Sequence, residues 1–434
     1  MAHRPSNADL HPMPDGGPDD DIHAIAARYA ATRHLSRELV LGLNEADAAV
    51  QSMADASPAK WHLAHTTWFF ETFLLRDHVP GYRLFDPRWP FLFNSYYEAE
   101  GERMARPERG LLTRPDLAEV MAYREHVDTA MRAALPELLA RHGDLIELGI
   151  QHEQQHQELL LTDIKHLFSR NPLGPAYASA FASRATPDGG ALRWIEGQEG
   201  LARIGSLEDD PFAFDNETPR HPAWLAPHAL ASRPVTNGEW AEFIRDNGYG
   251  TAALWLSDGW DWTRREGIAA PLYWRGGGDE WEHFTLGGWL PVDPDAPVAH
   301  VSFYEADAFA AWAGARLPTE QEWEAAAHGR DPRGGVQLDT AGAVMPRAEA
   351  PAGDFASLFG NVWEWTGSAY RPWPGYRPAA GAVGEYNGKF MSGQFVLKGG
   401  SCATPRGHMR ASYRNFFHPH QRWQFTGLRL ARSL

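Results

Sequence analysis

Apolar residues recur three and four positions apart through much of the N-terminal part of the chain, the spacing of a helix with one buried face. The first such row predicts a helix over residues 21–43, with acidic residues at its start. Ser57 followed by Pro58 predicts the N-cap and the first position of a second helix, residues 59–77. Each of these helices has an apolar stripe to bury.

Two further helices are predicted after a long aromatic loop, residues 80–112. Pro115 and the two residues before it start the third helix, which ends near Gly143. The fourth helix continues to about Phe168 with no proline inside it. Four helices with apolar stripes predict a bundle whose functional site is built inward from facing helices.

The pattern changes after residue 168. Residues 169–193 are rich in Pro, Gly, Ala and Ser, a composition typical of linkers. Beyond them, short apolar runs are mixed with many Gly, Pro and Trp residues, and no repeat of fixed period is present. Helices are predicted only at residues 237–246, 304–313 and 319–327, the last with a capping box of Thr319 and Glu322.

The chain is therefore expected to have an α+β fold with two domains, because 434 residues exceed one ordinary core. The predicted division is a disordered tail at residues 1–20, a four-helix bundle at 21–168, a linker at 169–193 and a second domain at 194–434. Irregular loops pinned to a small sheet are expected in the second domain.

Charge and composition limit the possible partners. The 40 basic and 56 acidic residues give a net charge of −16, which argues against a nucleic-acid partner. No apolar stretch approaches the roughly 18 residues of a membrane span, and the first 20 residues lack the apolar segment of a signal peptide. We therefore expect a cytoplasmic protein with no membrane partner. The single cysteine, Cys402, is expected to be a buried thiol.

The predicted fourth helix contains a candidate metal site in the run HEQQHQE, residues 152–158. His152 and His156 are four apart, so they share a helix face and can chelate one metal ion. The second helix offers His62 and His65 as a third ligand. Periodicity does not separate these two histidines, and His65 is the preferred one.

Two other interpretations of this run stay open at this level. One is an HExxH zinc peptidase with Glu153 as its general base. The extended form of that motif places another histidine downstream, and no histidine stands at that spacing after His156. The other is a metal-free binding module, in which the two histidines belong to a solvated polar face.

A second cluster of reactive side chains lies in the aromatic loop. Tyr96 and Tyr97 are followed by arginines at every third position, among them Arg103 and Arg106. A tyrosine near an oxidising metal can donate a proton or an electron, and an arginine fork can hold a carboxylate. The alternative is that the tyrosines pack the loop while the arginines offset neighbouring glutamates.

Together these runs resemble the ergothioneine-type sulfoxide synthases. HEQQHQE at 152–158, with LAH at 63–65, is similar to the iron site of that family. Its second domain is matched by RLPTEQEWE at 316–324, GNVWEW at 360–365, GGS at 399–401 and GLRLA at 427–431. The resemblance implies a helical bundle of the DinB kind followed by a C-type-lectin-like domain related to the formylglycine-generating enzyme. It covers nearly everything from residue 22 to the end.

The resemblance also implies the chemistry. In that family His65, His152 and His156 would bind Fe(II), with open positions for dioxygen and for the substrates. The reaction would be oxidative C–S bond formation between cysteine and the imidazole C2 of trimethylated histidine (hercynine), together with sulfoxidation. Synthases that use a selenosugar or histidine in place of these substrates are the alternatives within the class.

Individual substrate contacts follow from the same resemblance. The pair Tyr96 and Tyr97 is similar to the subgroup that uses free cysteine and takes its catalytic tyrosines from this loop. Gln155 would lie near the imidazole, and Arg103 with Arg106 have the spacing of the carboxylate-binding arginines. The C-terminal substrate-lining stretch is matched by Asn415, Phe416 and Phe417. The last of these replaces an acidic residue of the γ-glutamylcysteine enzymes, which favours cysteine.

Overall fold

The computed structural model describes residues 18–179, 190–207, 209–278, 280–381, 384 and 387–434, and it has the predicted α+β architecture. Residues 1–17 of the predicted tail and residues 180–189 of the predicted linker lie outside this description. The N-terminal part is helical. Its α-helices are α1 (Pro18–Glu38), α2 (Glu45–Ala49), α3 (Ala59–Phe70), α4 (Trp89–Phe93) and α5 (Leu117–Ser169).

Helix α3 is the centre of the helical part, because every one of its residues is buried. It continues without a break into a π-helical stretch, Glu71–Arg76, so the predicted second helix is present over nearly its expected length. The predicted N-cap at Ser57 is wrong. The N-cap position is Pro58, and the Ser57 amide instead donates to Asp163 Oδ2 over 2.8 Å, which ties the start of α3 to α5.

Helix α5 combines the predicted third and fourth helices. The expected break near Gly143 is present only as a kink, since His142 has non-helical angles of φ −139° and ψ 31° while the helix continues on either side. The helix begins at a capping box in which Asp116 accepts from the Glu119 amide over 2.9 Å. The kink allows one continuous element to follow two sides of the bundle.

The C-terminal part contains short strands in small sheets. The strands are β1 (Trp194–Glu196), β2 (Gly200–Ile204), β3 (His221–Leu225), β4 (His228–Ala231), β5 (Trp274–Gly277), β6 (Glu280–Thr285), β7 (Gly288–Pro291), β8 (Trp363–Ala369), β9 (Phe395–Lys398), β10 (Asn415–Phe417), β11 (Thr426–Leu428) and β12 (Ala431–Ser433). Strand β9 pairs antiparallel with both β8 and β10, and β11 joins β8 in parallel, giving the order β10-β9-β8-β11. Two antiparallel sheets have the orders β1-β4-β12 and β5-β6-β7, and β2 pairs with β3.

The three helices predicted in this part are confirmed. They are α6 (Asn237–Arg245), α8 (Phe303–Trp312) and α9 (Glu320–Ala327), and α9 has the expected capping box of Thr319 and Glu322. Helix α7 (Ser257–Glu266) was not predicted. Its N-cap position is Leu256, which makes no side-chain capping bond, so the usual start signal is missing.

The apolar core continues from the helical part into the C-terminal part. Tyr273, Phe284 and Phe425 pack in the same buried cluster as the residues of α3 and α5, and so does Cys402, which is fully buried as predicted. Lys165 of α5 is buried at this junction, with its Nζ atom 4.7 Å from the centre of the Tyr273 ring. Among the described residues, no helix has the length and apolar character needed to cross a bilayer.

Candidate metal centre

Three histidines converge where α3 faces α5. His65 from α3 and His152 and His156 from α5 each offer a ring nitrogen, and these three atoms lie within 4.8 Å of one another. The geometry therefore favours His65 over His62 as the third member, a choice that sequence periodicity could not make. The i,i+4 spacing on α5 and the close packing of α3 against it produce the cluster.

Hydrogen bonds indicate which nitrogen of two of these rings is available to a metal. Nδ1 of His65 lies 2.6 Å from the carbonyl oxygen of Phe93, which can only accept, so this nitrogen carries the proton. Nε2 of His65 is then the lone-pair donor. Nδ1 of His152 is buried without a hydrogen-bond partner in the described part of the chain, so no other group competes for it.

His62 holds the His156 ring in place through a hydrogen bond. Its Nε2 lies 3.1 Å from Asp163 Oδ2, and its Nδ1 lies 2.9 Å from Nδ1 of His156. Because the carboxylate accepts, His62 Nε2 is protonated and its Nδ1 accepts from His156. This chain of hydrogen bonds leaves Nε2 of His156 free for a metal, the arrangement that orients histidine ligands in many metal sites.

Burial keeps the three imidazoles neutral. Desolvation lowers the pKa of His152 to about 4, and it holds the pKa values of His65 and His156 well below their usual range, assisted by the neighbouring histidines. Neutral imidazole is the form that binds metals. The three side chains therefore fit a divalent transition metal without first having to release protons.

Glu153 belongs to the fold and not to the site. Its carboxylate is 1% exposed and accepts from Arg33 over 2.8 Å, from Arg124 over 2.9 Å and from Ser36 over 2.6 Å. Burial opposes its charged form, yet the two arginines lower its pKa to about 2. A carboxylate with both oxygens engaged in this way cannot serve as the general base that the zinc-peptidase interpretation requires.

The histidines face a cavity of about 270 Å³ between the helical and C-terminal parts. Most of the side chains nominated from the sequence line it. These are His65, Tyr96, Tyr97, Arg106, His152, Gln155, His156, Asn415, Phe416 and Phe417.

Arg103 does not line this cavity; it forms an ion pair of 2.6 Å with Glu98. Its expected place is taken by Arg109, which the sequence interpretation did not nominate. Arg106 and Arg109 lie three apart in a 3₁₀-helical stretch, Arg106–Leu111, so their side chains project in the same direction. The every-third-residue spacing was the available signal, but it did not indicate which two arginines face inward.

The two inward arginines have no carboxylate partner among the described residues. Arg106 donates to the Tyr96 hydroxyl over 2.9 Å, and Arg109 donates to the Ser57 and Ser95 hydroxyls over 3.0 and 2.9 Å. The Arg109 guanidinium also lies 3.4 Å from the centre of the Trp61 ring. Burial and the charge of Arg106 lower the pKa of Arg109, so an anionic ligand here would be stabilised.

Tyr96 and Tyr97 occupy different positions. Tyr97 is 5% exposed and packs against Trp68 and Phe73, with ring centres 5.6 and 5.3 Å away. It shares the cavity wall with His152. Tyr96 lies near the arginines, through the hydrogen bond that its hydroxyl accepts from Arg106.

Gln155 is held by a residue that the sequence did not reveal as functional. Its Nε2 donates to the Tyr413 hydroxyl over 2.6 Å, and that hydroxyl lies 3.3 Å from Nε2 of His408. Tyr413 also lines the cavity, two residues before Asn415. Its position next to the C-terminal substrate-lining stretch was the only sequence signal for it.

Glu158 joins the two parts of the chain beside the site. It follows His156 on α5, and its carboxylate accepts from Trp363 over 2.8 Å, from Ser401 over 2.5 Å and from Thr404 over 2.7 Å. These donors come from the GNVWEW and GGS runs of the C-terminal part and from the turn that follows them. The functions of those runs therefore include docking the helix that carries two of the histidines.

Comparison with known proteins covers both parts of the chain. Residues 28–160 match the DinB superfamily, and residues 194–355 and 343–434 match the sulfatase-modifying factor enzyme 1-like domain. A hercynine oxygenase of Mycobacterium tuberculosis is 35% identical over 434 residues, which are 94% of this chain and 98% of that protein. The hercynine oxygenase of Mycolicibacterium smegmatis is 35% identical over 92% of this chain and 96% of its own. A formylglycine-generating enzyme of Thermomonospora curvata is 31% identical over 38% of this chain and 68% of its own.

Proposed function

The chain belongs to the hercynine oxygenase family, and on that premise we propose that it is an iron(II)-dependent sulfoxide synthase that joins cysteine to the imidazole C2 of hercynine. The observation that carries the proposal is the placement of three neutral imidazoles on one side of a cavity that also contains a buried tyrosine and two arginines with no carboxylate partner among the described residues. The reaction consumes dioxygen, and the cysteine sulfur that becomes bonded to the imidazole carbon is oxidised to a sulfoxide.

His65, His152 and His156 are the proposed ligands of Fe(II), which when bound would acidify the cysteine thiol and activate dioxygen. Three protein ligands leave positions open for both. His62 and Phe93 hold two of the three rings in the tautomer that this coordination requires.

Arg106 and Arg109 are the proposed site for the cysteine carboxylate, because both line the cavity without carboxylate partners of their own in the described chain. Arg106 and Arg109 thus replace the pair that the sequence suggested, Arg103 and Arg106. Phe417 lines the same cavity where the γ-glutamylcysteine enzymes have an acidic residue, which supports cysteine as the sulfur donor.

Hercynine would bind with its imidazole beside Gln155, whose amide Tyr413 holds in one orientation. Its trimethylammonium group carries a positive charge, and the cavity wall includes the carboxylate of Asp55 together with the aromatic ring of Phe416. Both kinds of surface favour a cation, so a zwitterionic substrate can be accommodated with its two ends in different environments.

An oxygen-uptake assay tests this function. The protein is loaded anaerobically with Fe(II) and offered hercynine with cysteine, γ-glutamylcysteine or a selenosugar, or histidine with cysteine, and the products are identified by mass. We expect about one iron per chain and turnover with hercynine and cysteine. Turnover of histidine in place of hercynine, or of a selenosugar in place of cysteine, would move the assignment to those branches. Iron binding that is unchanged in His152→Ala would contradict the metal site.

A further inference from the structure

A second cavity reaches the metal centre from another side. It has a volume of about 150 Å³, and it shares Tyr97, His152, Gln155, Phe214 and Asn387 with the first cavity. The two cavities therefore meet at His152, one of the three clustered histidines. Tyr97 and Gln155 line both cavities, whereas Phe69, Leu148 and Phe212 have no role in the proposed substrate contacts.

The second cavity forms a path from the surface to His152. Asp144 and Leu148 lie two turns and one turn before His152 on the same face of α5, and Phe69 lies one turn after His65 on α3. Asp144 is exposed, Leu148 is half-buried, and Phe69 and His152 are buried. Exposure therefore decreases step by step toward the metal centre.

The two cavities differ in chemistry. The first presents the guanidinium groups of Arg106 and Arg109 and the carboxylate of Asp55, which suit zwitterionic amino acids. The second has an apolar part formed by Phe69, Leu148, Phe212 and Ala213, none of which lines the first.

Its two carboxylates do not point to a charged ligand. Asp144 is exposed at the outer end, and Asp215 accepts from Asn387 over 2.6 Å and from Tyr376 over 3.2 Å. The Phe69, Leu148 and Phe212 side chains offer a charged amino acid no hydrogen-bond partner, so this part of the wall favours small apolar molecules.

We propose that the second cavity is the route by which dioxygen reaches the metal, an inference that rests on the proposed oxygenase function. Dioxygen is small and apolar, so it partitions favourably into a passage lined by Phe and Leu side chains. With the first cavity filled by the two polar substrates, a separate entry lets dioxygen arrive last. Tyr97, which lies in the wall shared by the two cavities, is then placed where gas and substrates meet.

Nitric oxide provides a probe of this passage that needs no turnover. Stopped-flow mixing of nitric oxide with the Fe(II)-loaded protein, in the presence of both substrates, reports the rate at which a diatomic gas reaches the iron. Leu148→Trp and Ala213→Trp place a large ring in the passage. We expect each to slow nitric oxide association about tenfold, equal to about 1.4 kcal/mol of activation free energy. The KM for dioxygen should rise in parallel, with unchanged kcat at saturating oxygen.

The matched control is Gln421→Trp, which places the same ring in the first cavity. It should weaken cysteine or hercynine binding and leave nitric oxide association at the rate of the unsubstituted protein. Association that is equally fast in both passage variants, each with full iron content, would overturn the route. An unsubstituted protein that binds no iron would instead overturn the proposed function itself.

A second measurement covers the case in which the tryptophan variants fail to fold. Crystals of the unsubstituted, Fe(II)-loaded protein pressurised with xenon should show the gas between Phe69, Leu148 and Phe212, since xenon occupies apolar cavities. A passage without xenon at pressures that fill other apolar cavities of the protein would contradict the proposal.

Discussion

At the scale of single residues, His62 is the side chain whose effect is easiest to isolate. It contacts a proposed ligand without being one, through the 2.9 Å hydrogen bond to His156. Replacing it with phenylalanine keeps a ring but removes the support of His156. We expect metal affinity to fall by about 10–100-fold, as for other residues that orient a ligand. Anaerobic titration with Fe(II) or Co(II) measures this.

The control for that titration is His221→Phe, which changes a buried histidine whose ring lies 4.5 Å from the Trp373 ring, away from the cluster. It should bind metal as the unsubstituted protein does. Equal affinity of His62→Phe and His221→Phe would show that His156 needs no support from His62.

A second experiment on single residues distinguishes the roles of Tyr97 and Tyr96. Tyr97 lies beside His152, so Tyr97→Phe is expected to divert oxygen from C–S bond formation to simple oxidation of the thiol. Tyr96 contacts Arg106, so Tyr96→Phe should raise the KM for cysteine and keep the product ratio. Mass spectrometry of the products after a fixed oxygen uptake measures the ratio. An unchanged product ratio in both variants would show that neither tyrosine of this loop takes part in the reaction.

Glu153→Gln tests whether that residue is structural. Removing its charge leaves Arg124 buried without a carboxylate partner among the described residues and leaves Arg33 with Asp128 alone, which is expected to cost about 3 kcal/mol of unfolding free energy. Glu147→Gln is the matched control, because its partner Arg28 is 46% exposed and should lose much less. Urea unfolding of the metal-free proteins gives both values. Equal losses would mean that the Glu153 network contributes no more than a surface pair.

The sequence could identify the histidines because i,i+4 spacing on a helix is a local property, and the resemblance then distinguished His65 from His62. It could not select Arg109 over Arg103, since that depends on where a 3₁₀-helical stretch begins inside a loop. Tyr413 was missed for a related reason. Its role comes from a contact with Gln155, 258 residues away in the chain.

At the scale of elements, the contact between α3 and α5 sets the spacing of the metal ligands. Gly149 permits that contact, because a Cβ atom there would lie 2.6 Å from Phe70 and 3.0 Å from Phe69. Gly149→Ala is therefore expected to push the helices apart, at a cost of about 1–3 kcal/mol in unfolding free energy. Metal affinity should fall with it, since His65 and His152 are on opposite sides of the contact.

Gly143→Ala is the matched control on the same helix, because nothing lies within 4 Å of its added Cβ. It should be neutral or slightly stabilising. Thermal unfolding and metal titration of the two variants, measured side by side, test the packing argument. Equal stability of the two would show that the buried phenylalanine rings can move aside.

Helix prediction succeeded where start signals are local. The capping box of Thr319 and Glu322 is present as expected, whereas α7 has no side-chain cap and was not found. The break predicted near Gly143 is only a kink, since packing on both sides keeps the chain helical. Tertiary contacts, which the local pattern does not contain, account for both differences.

At the scale of the whole molecule, Lys165 links stability to pH. It is buried where the two parts of the chain meet, and its amine donates to Nε2 of His300. Burial lowers its pKa to about 7, so between pH 7 and its ordinary value the unfolded chain binds more protons than the folded one. Stability should therefore rise with pH across that window, by up to about 1.4 kcal/mol per pH unit.

Lys165→Met removes this titration and keeps an unbranched apolar chain of similar length. Unfolding free energies of the metal-free protein and the variant are measured from pH 7.5 to 9.5. We expect the difference between them to change in favour of the unsubstituted protein as pH rises. Parallel curves would mean that Lys165 is protonated in the folded state throughout.

The hydrogen bonds of Glu158 have a consequence for exchanging domains between relatives. Helix α5 carries two of the three proposed metal ligands and also Glu158, which binds the C-terminal part. A chimera with a foreign C-terminal part would therefore keep the metal site intact only if that part supplied the same three donors. Chimeras joined within residues 169–193 should therefore be screened first for the equivalents of Trp363, Ser401 and Thr404. Substrate preference can then be transplanted by changing the cavity walls alone, with α5 left intact as a shared part.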